Sequence, residues 1–212
     1  MNHVNTKEEL SEKKEKMANI IFKIDAVKFG VFKLSSGKAS PYYVDLRVIP
    51  SFPDAFREIC DLYGQYIQTE MGIRSFDRIA GVPLTGIIFA SQVAYNLKRP
   101  FIYVRRHLKL QGRERRVEGV LASGDRVLLI DDLVTTGLTL AKTAEAVRAE
   151  GGVVTDAVVF LDREEGGAAE LEKSGIRLHP MLKISEVAKS LYDLGAMDQE
   201  SLKTILKQIK KK

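Results

Sequence analysis

Two adjacent carboxylates and a hydroxyl-rich turn follow one another in the middle of the chain. Asp131 and Asp132 come directly after the apolar run 127–130 and precede the turn Thr135-Thr136-Gly137. A turn that leads into a helix presents backbone N–H groups and the positive end of the helix dipole, which suits a phosphate. The two acids suit hydroxyl groups or a hydrated Mg²⁺. The stretch therefore predicts a sugar-phosphate site, and the alternative is that the acids only end a strand and cap a turn.

The elements around this stretch predict an open α/β sheet. The apolar run is typical of a strand buried on both faces of a parallel sheet, and apolar residues at helical spacing begin at Leu138. Residues 76–81 predict a second strand, which leads through a Gly-rich turn into a helix that ends near Leu97. Ligands of such sheets bind beyond the carboxyl ends of the strands, so both turns should face one crevice. A turn that only connects a strand to a helix is the alternative for the second unit.

Two further strands end in charged residues. Residues 101–104 predict a strand that opens into a basic segment, where six of the twelve residues from 105 to 116 are Arg or Lys. A segment of this length in a compact domain is typical of a functional lid or of disorder, and its charge suits a polyanion. A solvated charged hairpin is the alternative. The strand at 153–161 runs into Asp162-Arg163, whose alternative interpretation is a surface turn with an ordinary ion pair.

The remaining patterns complete the predicted fold. Helices are expected at 7–25 and 53–71, with two short strands around a turn between them, within residues 29–47. A strand at 176–182 and two closing helices follow, the last with Asp198 as its N-cap. We expect a single domain, residues 1–212, with smaller N-terminal elements in about the first 50 residues.

Composition excludes several classes of protein. The 212 residues carry a net charge of +5, in part from a basic C-terminal tail that is typical of a solvated end and does not predict nucleic-acid binding. Cys60 is the only cysteine, so no intrachain disulfide can form, and we expect a buried thiol. The three histidines lack metal-ligand spacing. With no apolar signal segment and no stretch that could span a membrane, we expect a cytoplasmic protein.

Residues 130–139, Ile-Asp-Asp-Leu-Val-Thr-Thr-Gly-Leu-Thr, resemble the phosphoribosyl-diphosphate (PRPP) signature of type I phosphoribosyltransferases. The resemblance implies a central, mostly parallel sheet flanked by helices, with a small N-terminal hood. Neither a Walker A loop nor a dinucleotide fingerprint occurs. The residues that the signature implies for PRPP binding are Asp131, Asp132, Leu133, Val134, Thr135, Thr136, Gly137, Leu138 and Thr139.

Three other stretches resemble one branch of that family, the orotate phosphoribosyltransferases. They are the F-x-L-x-S-G-x-x-S-P-x-Y-x-D-L-R pattern from Phe32 to Arg47, the basic segment that ends in Val117-Glu118-Gly119, and the D-R-x-x-G-G turn from Asp162. The resemblance implies that Arg163 and Thr135 hold orotate. It also implies that Mg²⁺ enters with PRPP. The residues that it implies for the diphosphate are Arg105, Arg106 and Lys109, and those that it implies for catalysis are Lys109, Asp131 and Asp132.

The same resemblance implies a homodimer, in which the loop 105–119 of one subunit completes the site of its neighbour. Gln111 and Ser35 depart from the residues that many members of the branch carry. The expected reaction converts orotate and PRPP to orotidine 5′-monophosphate and diphosphate in pyrimidine biosynthesis. The rivals are a phosphoribosyltransferase for another base and a PRPP-sensing regulator that binds nucleic acid.

Overall fold

The computed structural model describes residues 5–33, 39–106 and 116–210. These residues form two compact units, one from those that lie within 1–59 and 182–212 and the other from those that lie within 60–181. The helices are α1 (Asn5–Lys23), α2 (Pro53–Tyr66), α3 (Thr85–Asn96), α4 (Leu138–Ala149), α5 (Gly167–Lys173), α6 (Ile184–Asp193) and α7 (Gln199–Lys210). The strands are β1 (Val27–Lys33), β2 (Ala39–Val44), β3 (Arg78–Gly81), β4 (Phe101–Val104), β5 (Val117–Glu118), β6 (Arg126–Val134), β7 (Val153–Asp162) and β8 (Arg177–Lys183).

A six-stranded sheet with the order β5-β4-β3-β6-β7-β8 forms the centre of the fold. The inner pairs β3–β4, β3–β6 and β6–β7 are parallel, and β5 pairs antiparallel with β4 at one edge. A separate antiparallel hairpin joins β1 to β2. This is the type I phosphoribosyltransferase architecture expected from the sequence, and it brings the carboxyl ends of β4, β3, β6 and β7 to one edge of the sheet.

Both faces of the sheet are buried, because alternate residues of its strands pack against different elements on the two faces. Leu129 of β6 and Val159 of β7 belong to a buried cluster with Leu140 and Ala144 of α4. The next residue of β7, Phe160, must point to the other face, since side chains alternate along a strand. On that face its ring lies 6.3 Å from that of Tyr63 in α2. Helices therefore cover both faces, as a parallel sheet of continuous apolar strands requires.

Several element boundaries differ from the sequence prediction. Residues 127–130 were expected to form a strand that ends before the acids, but β6 continues through Asp131 and Asp132 to Val134. The strand continues because β7 runs beside it to the end, with Val134 opposite Asp162. The short strand β5 and the helix α5 were not predicted, and the second predicted helix ends in a π-helical turn, Ile67–Met71.

The unit that contains both termini holds the hairpin β1–β2 and the helices α1, α6 and α7. An ion pair between Lys14 and Glu186, 2.6 Å long, links α1 to α6. Asp198 accepts a hydrogen bond of 2.7 Å from the N–H of Ser201, which confirms its predicted role as a helix cap. Among the described residues, no helix is long and apolar enough to cross a membrane.

Candidate active site

The acid pair lies inside the protein at the carboxyl end of β6. Asp131 and Asp132 are 7% and 8% exposed, so both carboxyl groups are largely removed from water. Burial, followed by the neighbouring Asp132, raises the pKa of Asp131 well above its ordinary value. Two buried acids side by side are costly without a ligand or cation. The arrangement therefore supports the interpretation of a binding site over that of a strand end.

Asp131 is held in place by three hydrogen bonds from the main chain and from one side chain. Its carboxylate accepts the N–H of Asp132, 3.0 Å from Oδ1, and the N–H of Gly86 in the first turn of α3. Its carbonyl accepts the hydroxyl of Tyr63 at 2.7 Å. A Cβ atom at position 86 would lie 2.6 Å from Oδ1 of Asp131, so only glycine lets α3 approach this closely.

The predicted phosphate loop is the start of α4. Gly137 precedes the helix in the left-handed conformation, with φ of 79°, and the N–H of Ala141 makes the first intrahelical bond, to the carbonyl of Gly137 at 2.9 Å. The N–H groups of residues 138–140 therefore point beyond the end of the helix, where an anion can bind. Thr136 and Thr139 are exposed beside them. The loop is chemically suited to a phosphate next to the acid pair.

The turn after β3 opens at the same edge of the sheet. Val82 donates its N–H to the carbonyl of Ile130 at 3.1 Å, so the turn begins beside the acids. The peptide bond between Pro83 and Leu84 is cis, and Leu84 is exposed. The sequence predicted a turn at this edge, and the structure connects it to the acid pair through Gly86.

The turn after β7 places Arg163 beside the phosphate loop. The N–H of Arg163 donates to the carbonyl of Val134 at 3.0 Å, and the carboxylate of Asp162 accepts the N–H of Glu164 at 2.7 Å. The side chain of Arg163 is 13% exposed, and its guanidinium pairs with Glu165 at 3.0 Å. This ion pair is mostly buried, unlike that of an ordinary surface turn.

Two glycines allow the phosphate loop and the Arg163 turn to touch. A Cβ atom at Gly137 would lie 2.9 Å from the carbonyl oxygen of Gly167. A Cβ atom at Gly167 would lie 2.6 Å from the carbonyl oxygen of Thr135. The loop that would hold a phosphate and the turn that would hold a base are thus in direct backbone contact.

The ends of the basic segment are fixed by hydrogen bonds and charge. The N–H of Arg105 donates to the carbonyl of Arg116 at 2.8 Å, and the side chain of Arg105 pairs with Glu118 at 2.6 Å. Glu150, at the end of α4, accepts the N–H groups of Arg116 and Val117 at 3.0 Å each. Arg106 is exposed, whereas Lys109, Gln111 and Ser35 lie outside the described residues.

Sequence reasoning missed three residues that organise the site. In the sequence, Tyr63 is one of several apolar residues at helical spacing, Gly86 belongs to a Gly-rich turn, and Glu150 precedes two glycines. Their roles depend on contacts across 68, 45 and about 34 positions of the chain, which no local pattern encodes. A buried tyrosine next to a functional strand is the one signal that could have suggested a hydrogen-bonding role.

Comparison with known protein families assigns this chain to a class of enzymes. The family model described as a phosphoribosyl transferase domain matches residues 49–177, more than half of the chain, and the match includes β3, β6 and β7 with the turns that follow them. The protein thus has the fold of a type I phosphoribosyltransferase.

More specific matches identify the branch. An orotate phosphoribosyltransferase of Cenarchaeum symbiosum is 41% identical over 85% of this chain and 90% of its own length. The crystal structure of orotate phosphoribosyltransferase from Aeropyrum pernix is 32% identical, with a TM-score of 0.73, over 86% of this chain and 99% of that one. The structure of Leishmania donovani UMP synthase has a TM-score of 0.82 at 30% identity, over 94% of this chain but 42% of that longer chain. This chain belongs to the orotate phosphoribosyltransferase family.

Proposed function

We propose that this protein transfers the 5-phosphoribosyl group of PRPP to orotate, giving orotidine 5′-monophosphate and diphosphate in pyrimidine biosynthesis. The observation that supports this most is the buried acid pair of β6 next to the N-terminus of α4. Acids and helix end together offer acceptors for a sugar diol and donors for a phosphate, which PRPP combines in one molecule.

The acid pair would act on the ribose. Breaking the bond between the anomeric carbon and the diphosphate develops positive charge on the ribosyl ring. Asp131 and Asp132 would accept hydrogen bonds from the ribose hydroxyls and stabilise that charge, in a site where little water screens them. The loop Thr135–Thr139 would hold the 5-phosphate through its N–H and hydroxyl groups.

The departing diphosphate needs positive charge, which the basic segment would supply. Arg105, Arg106 and Lys109 are the residues proposed for this role. In the free protein Arg105 is paired with Glu118, so binding of the diphosphate would have to compete with that ion pair. Orotate would bind to Arg163 and Thr135, because the planar donors of a guanidinium match a carboxylate or an imide carbonyl.

Mg²⁺ is the cofactor that the family implies. The described residues of the site could supply some of its ligands but not a complete set. No group of three or more acids, cysteines or histidines that could hold a metal occurs among the described residues. The acid pair offers the one or two carboxylates that Mg²⁺ commonly uses when substrate phosphates supply other ligands. Bound with PRPP, Mg²⁺ would neutralise charge on the diphosphate.

Assembly and location are also proposals. The homodimer, with the loop 105–119 reaching the neighbouring site, rests on the family resemblance of that loop. The cytoplasmic location stays a prediction from the sequence. We expect neither a nucleic-acid partner nor a membrane partner.

The absorbance of orotate, followed with PRPP and Mg²⁺, tests the function directly. Uracil, hypoxanthine and adenine serve as parallel bases, and omission of each component serves as the control. Loss of the orotate signal only when all components are present supports the proposal. Turnover with another base alone would retain the PRPP site and rule out the role of Arg163. Inactivity with every base, together with nucleic-acid binding that falls steeply with salt, would favour the regulator instead.

A further inference from the structure

Tyr63 connects the two strands that carry the functional residues. Its side chain is fully buried, 0% exposed, and rises from the last turn of α2. Its hydroxyl donates a 2.7 Å hydrogen bond to the carbonyl of Asp131 in β6, and its ring lies 6.3 Å from the ring of Phe160 in β7. Asp131 belongs to the acid pair, and Phe160 lies two residues before Asp162. The side chain of Tyr63 thus contacts both strands close to their functional ends, β6 through its hydroxyl group and β7 through its ring.

The position of this contact matters because β6 loses one neighbour there. The pairing of β3 with β6 ends with Gly81 opposite Ile130, so beyond that point only β7 continues beside the strand. Tyr63 supplies an additional bond at the first residue past the end of β3. The rings of Phe89 and Phe160 lie 6.1 and 6.3 Å from the ring of Tyr63 and fix its orientation.

We propose that Tyr63 is a positioning residue, which sets the distance between the acids that would bind the sugar and the turn that would bind the base. The proposal rests on the function proposed above. Attack of a base on the anomeric carbon requires the two ligands to be held in one geometry, and a displacement of about 1 Å can cost roughly a hundredfold in rate. Tyr63 touches neither ligand and would act only through β6 and β7.

The substitution Tyr63→Phe removes the hydroxyl and keeps the ring. Ile67→Val is the matched control, because Ile67 lies one helical turn further on, is 0% exposed, and would lose a single methyl group. We expect both variants to lower the midpoint of thermal unfolding by a few degrees, about 2–4 °C for each 1 kcal/mol. The two variants should differ in kinetics, with kcat/KM for PRPP and orotate reduced about tenfold or more only in Tyr63→Phe.

Incorporation of 4-aminophenylalanine at position 63 tests whether the hydrogen-bond donor is what matters. The amino group donates from nearly the same place as the hydroxyl, so we expect it to restore most of kcat/KM. It also keeps the experiment informative if Tyr63→Phe folds poorly. Kinetics of Tyr63→Phe that match those of Ile67→Val, or loss that the amino group leaves unchanged, would overturn the proposal.

The design separates this proposal from the proposed function. The wild-type protein is assayed first, and its failure to use orotate would overturn the function while leaving Tyr63 open to test. Binding of PRPP with Mg²⁺, measured by calorimetry, then becomes the readout. We expect weaker binding, by about fivefold or more, in Tyr63→Phe than in Ile67→Val, and equal affinities would overturn the positioning role.

Discussion

The two carboxylates of the acid pair differ in what surrounds them. Asp131 receives the N–H groups of Asp132 and Gly86, and its own carbonyl is held by Tyr63. These bonds favour its ionised form, but burial and the charge of Asp132 outweigh them and leave its pKa raised. An acid whose folded pKa exceeds its unfolded value destabilises the folded protein wherever it must ionise. This cost is absent below the unfolded pKa of about 3.9 and grows as the pH rises through the folded pKa.

Asp131→Asn should therefore stabilise the ligand-free protein at neutral pH while it removes activity. The amide oxygen can still accept the bonds from the main chain, but the buried charge disappears. We expect the midpoint of unfolding at pH 7.5 to rise by about 2–4 °C, on the order of 1 kcal/mol, and kcat to fall at least about a hundredfold.

The control is Glu70→Gln, which neutralises an exposed carboxylate in the same unit and should change neither quantity. Differential scanning calorimetry at pH 4.5 and 7.5 adds a second check, since the gain should shrink at the lower pH. A loss of stability at pH 7.5 would show that the charge of Asp131 is compensated in the free protein.

Arg163 offers a second test at the scale of single residues. Its guanidinium is largely buried and already paired with Glu165, so the position of its donors is fixed before a ligand arrives. Arg163→Lys keeps the charge but loses the planar pair of donors. We expect the KM for orotate to rise by about ten- to a hundredfold, the worth of one charged hydrogen bond of about 1.5–3 kcal/mol.

The KM for PRPP should stay within about twofold in Arg163→Lys, which steady-state kinetics with each substrate varied in turn would show. Arg57→Lys, at an exposed ion pair with Asp54, serves as the control. Equal increases in both KM values would mean that Arg163 supports the whole crevice and does not select the base.

At the scale of elements, the contact between the phosphate loop and the start of α5 depends on Gly167. A methyl group there would meet the carbonyl oxygen of Thr135 and a side-chain carbon of Val134, each at 2.6 Å. Backbone atoms cannot turn aside as a flexible side chain can, so Gly167→Ala must push the loop away. We expect a loss of about 1–3 kcal/mol in stability and a higher KM for PRPP.

The matched control is Gly64→Ala, also a glycine within a helix. A Cβ atom there would lie 3.6 Å from the side chain of Leu97, an ordinary contact, so the protein should keep its activity and gain about 0.4–1 kcal/mol in stability. Fluorescence-monitored unfolding and PRPP kinetics on both variants check the prediction. Unchanged PRPP kinetics in Gly167→Ala would mean that the loop and the turn move independently.

The sequence predicted elements well where a local pattern determines them, and less well where pairing with a neighbouring strand sets their boundaries. The apolar run of β6 and the start of α4 at Leu138 were visible in the sequence. The extension of β6 through Asp131 and Asp132 was not, because acids favour strand ends and only the pairing with β7 keeps them in the ladder. The short strand β5 exists only through its pairing with β4, and α5 has just seven residues, too few for a clear period.

At the scale of the whole molecule, the sequence predicted the candidate functional residues more completely than the residues that hold them in place. Residue type and position after an apolar strand predicted a functional role for Asp131, Asp132 and Arg163. The fold places the strands that carry them side by side. Tyr63 and Glu150 act on these parts from positions distant in the chain, and only the folded structure joins them. A contribution of a partner subunit to the site stays a prediction, which rests on the resemblance of the basic segment.

Mixing two inactive variants tests whether the basic segment of one subunit completes the site of the other. Lys109→Ala removes a residue of the segment, and Asp132→Asn removes one of the acids, so each pure variant should turn over at least about a hundredfold more slowly. In a hybrid dimer with exchanged segments, one site carries both defects and the other carries none. Random reassociation makes half of the dimers hybrids, so the mixture should recover about a quarter of the wild-type activity.

The activity of the mixture, measured by orotate absorbance after mild dissociation and reassociation, decides between the two geometries. If each segment served its own subunit, both sites of a hybrid would keep one defect, and the activity would stay at the mean of the pure variants. Different affinity tags on the two variants would show that hybrids have formed. Inactivity of confirmed hybrids would then mean that each segment serves its own subunit. The double variant mixed with itself is the baseline, because it contains no intact half from which activity could return.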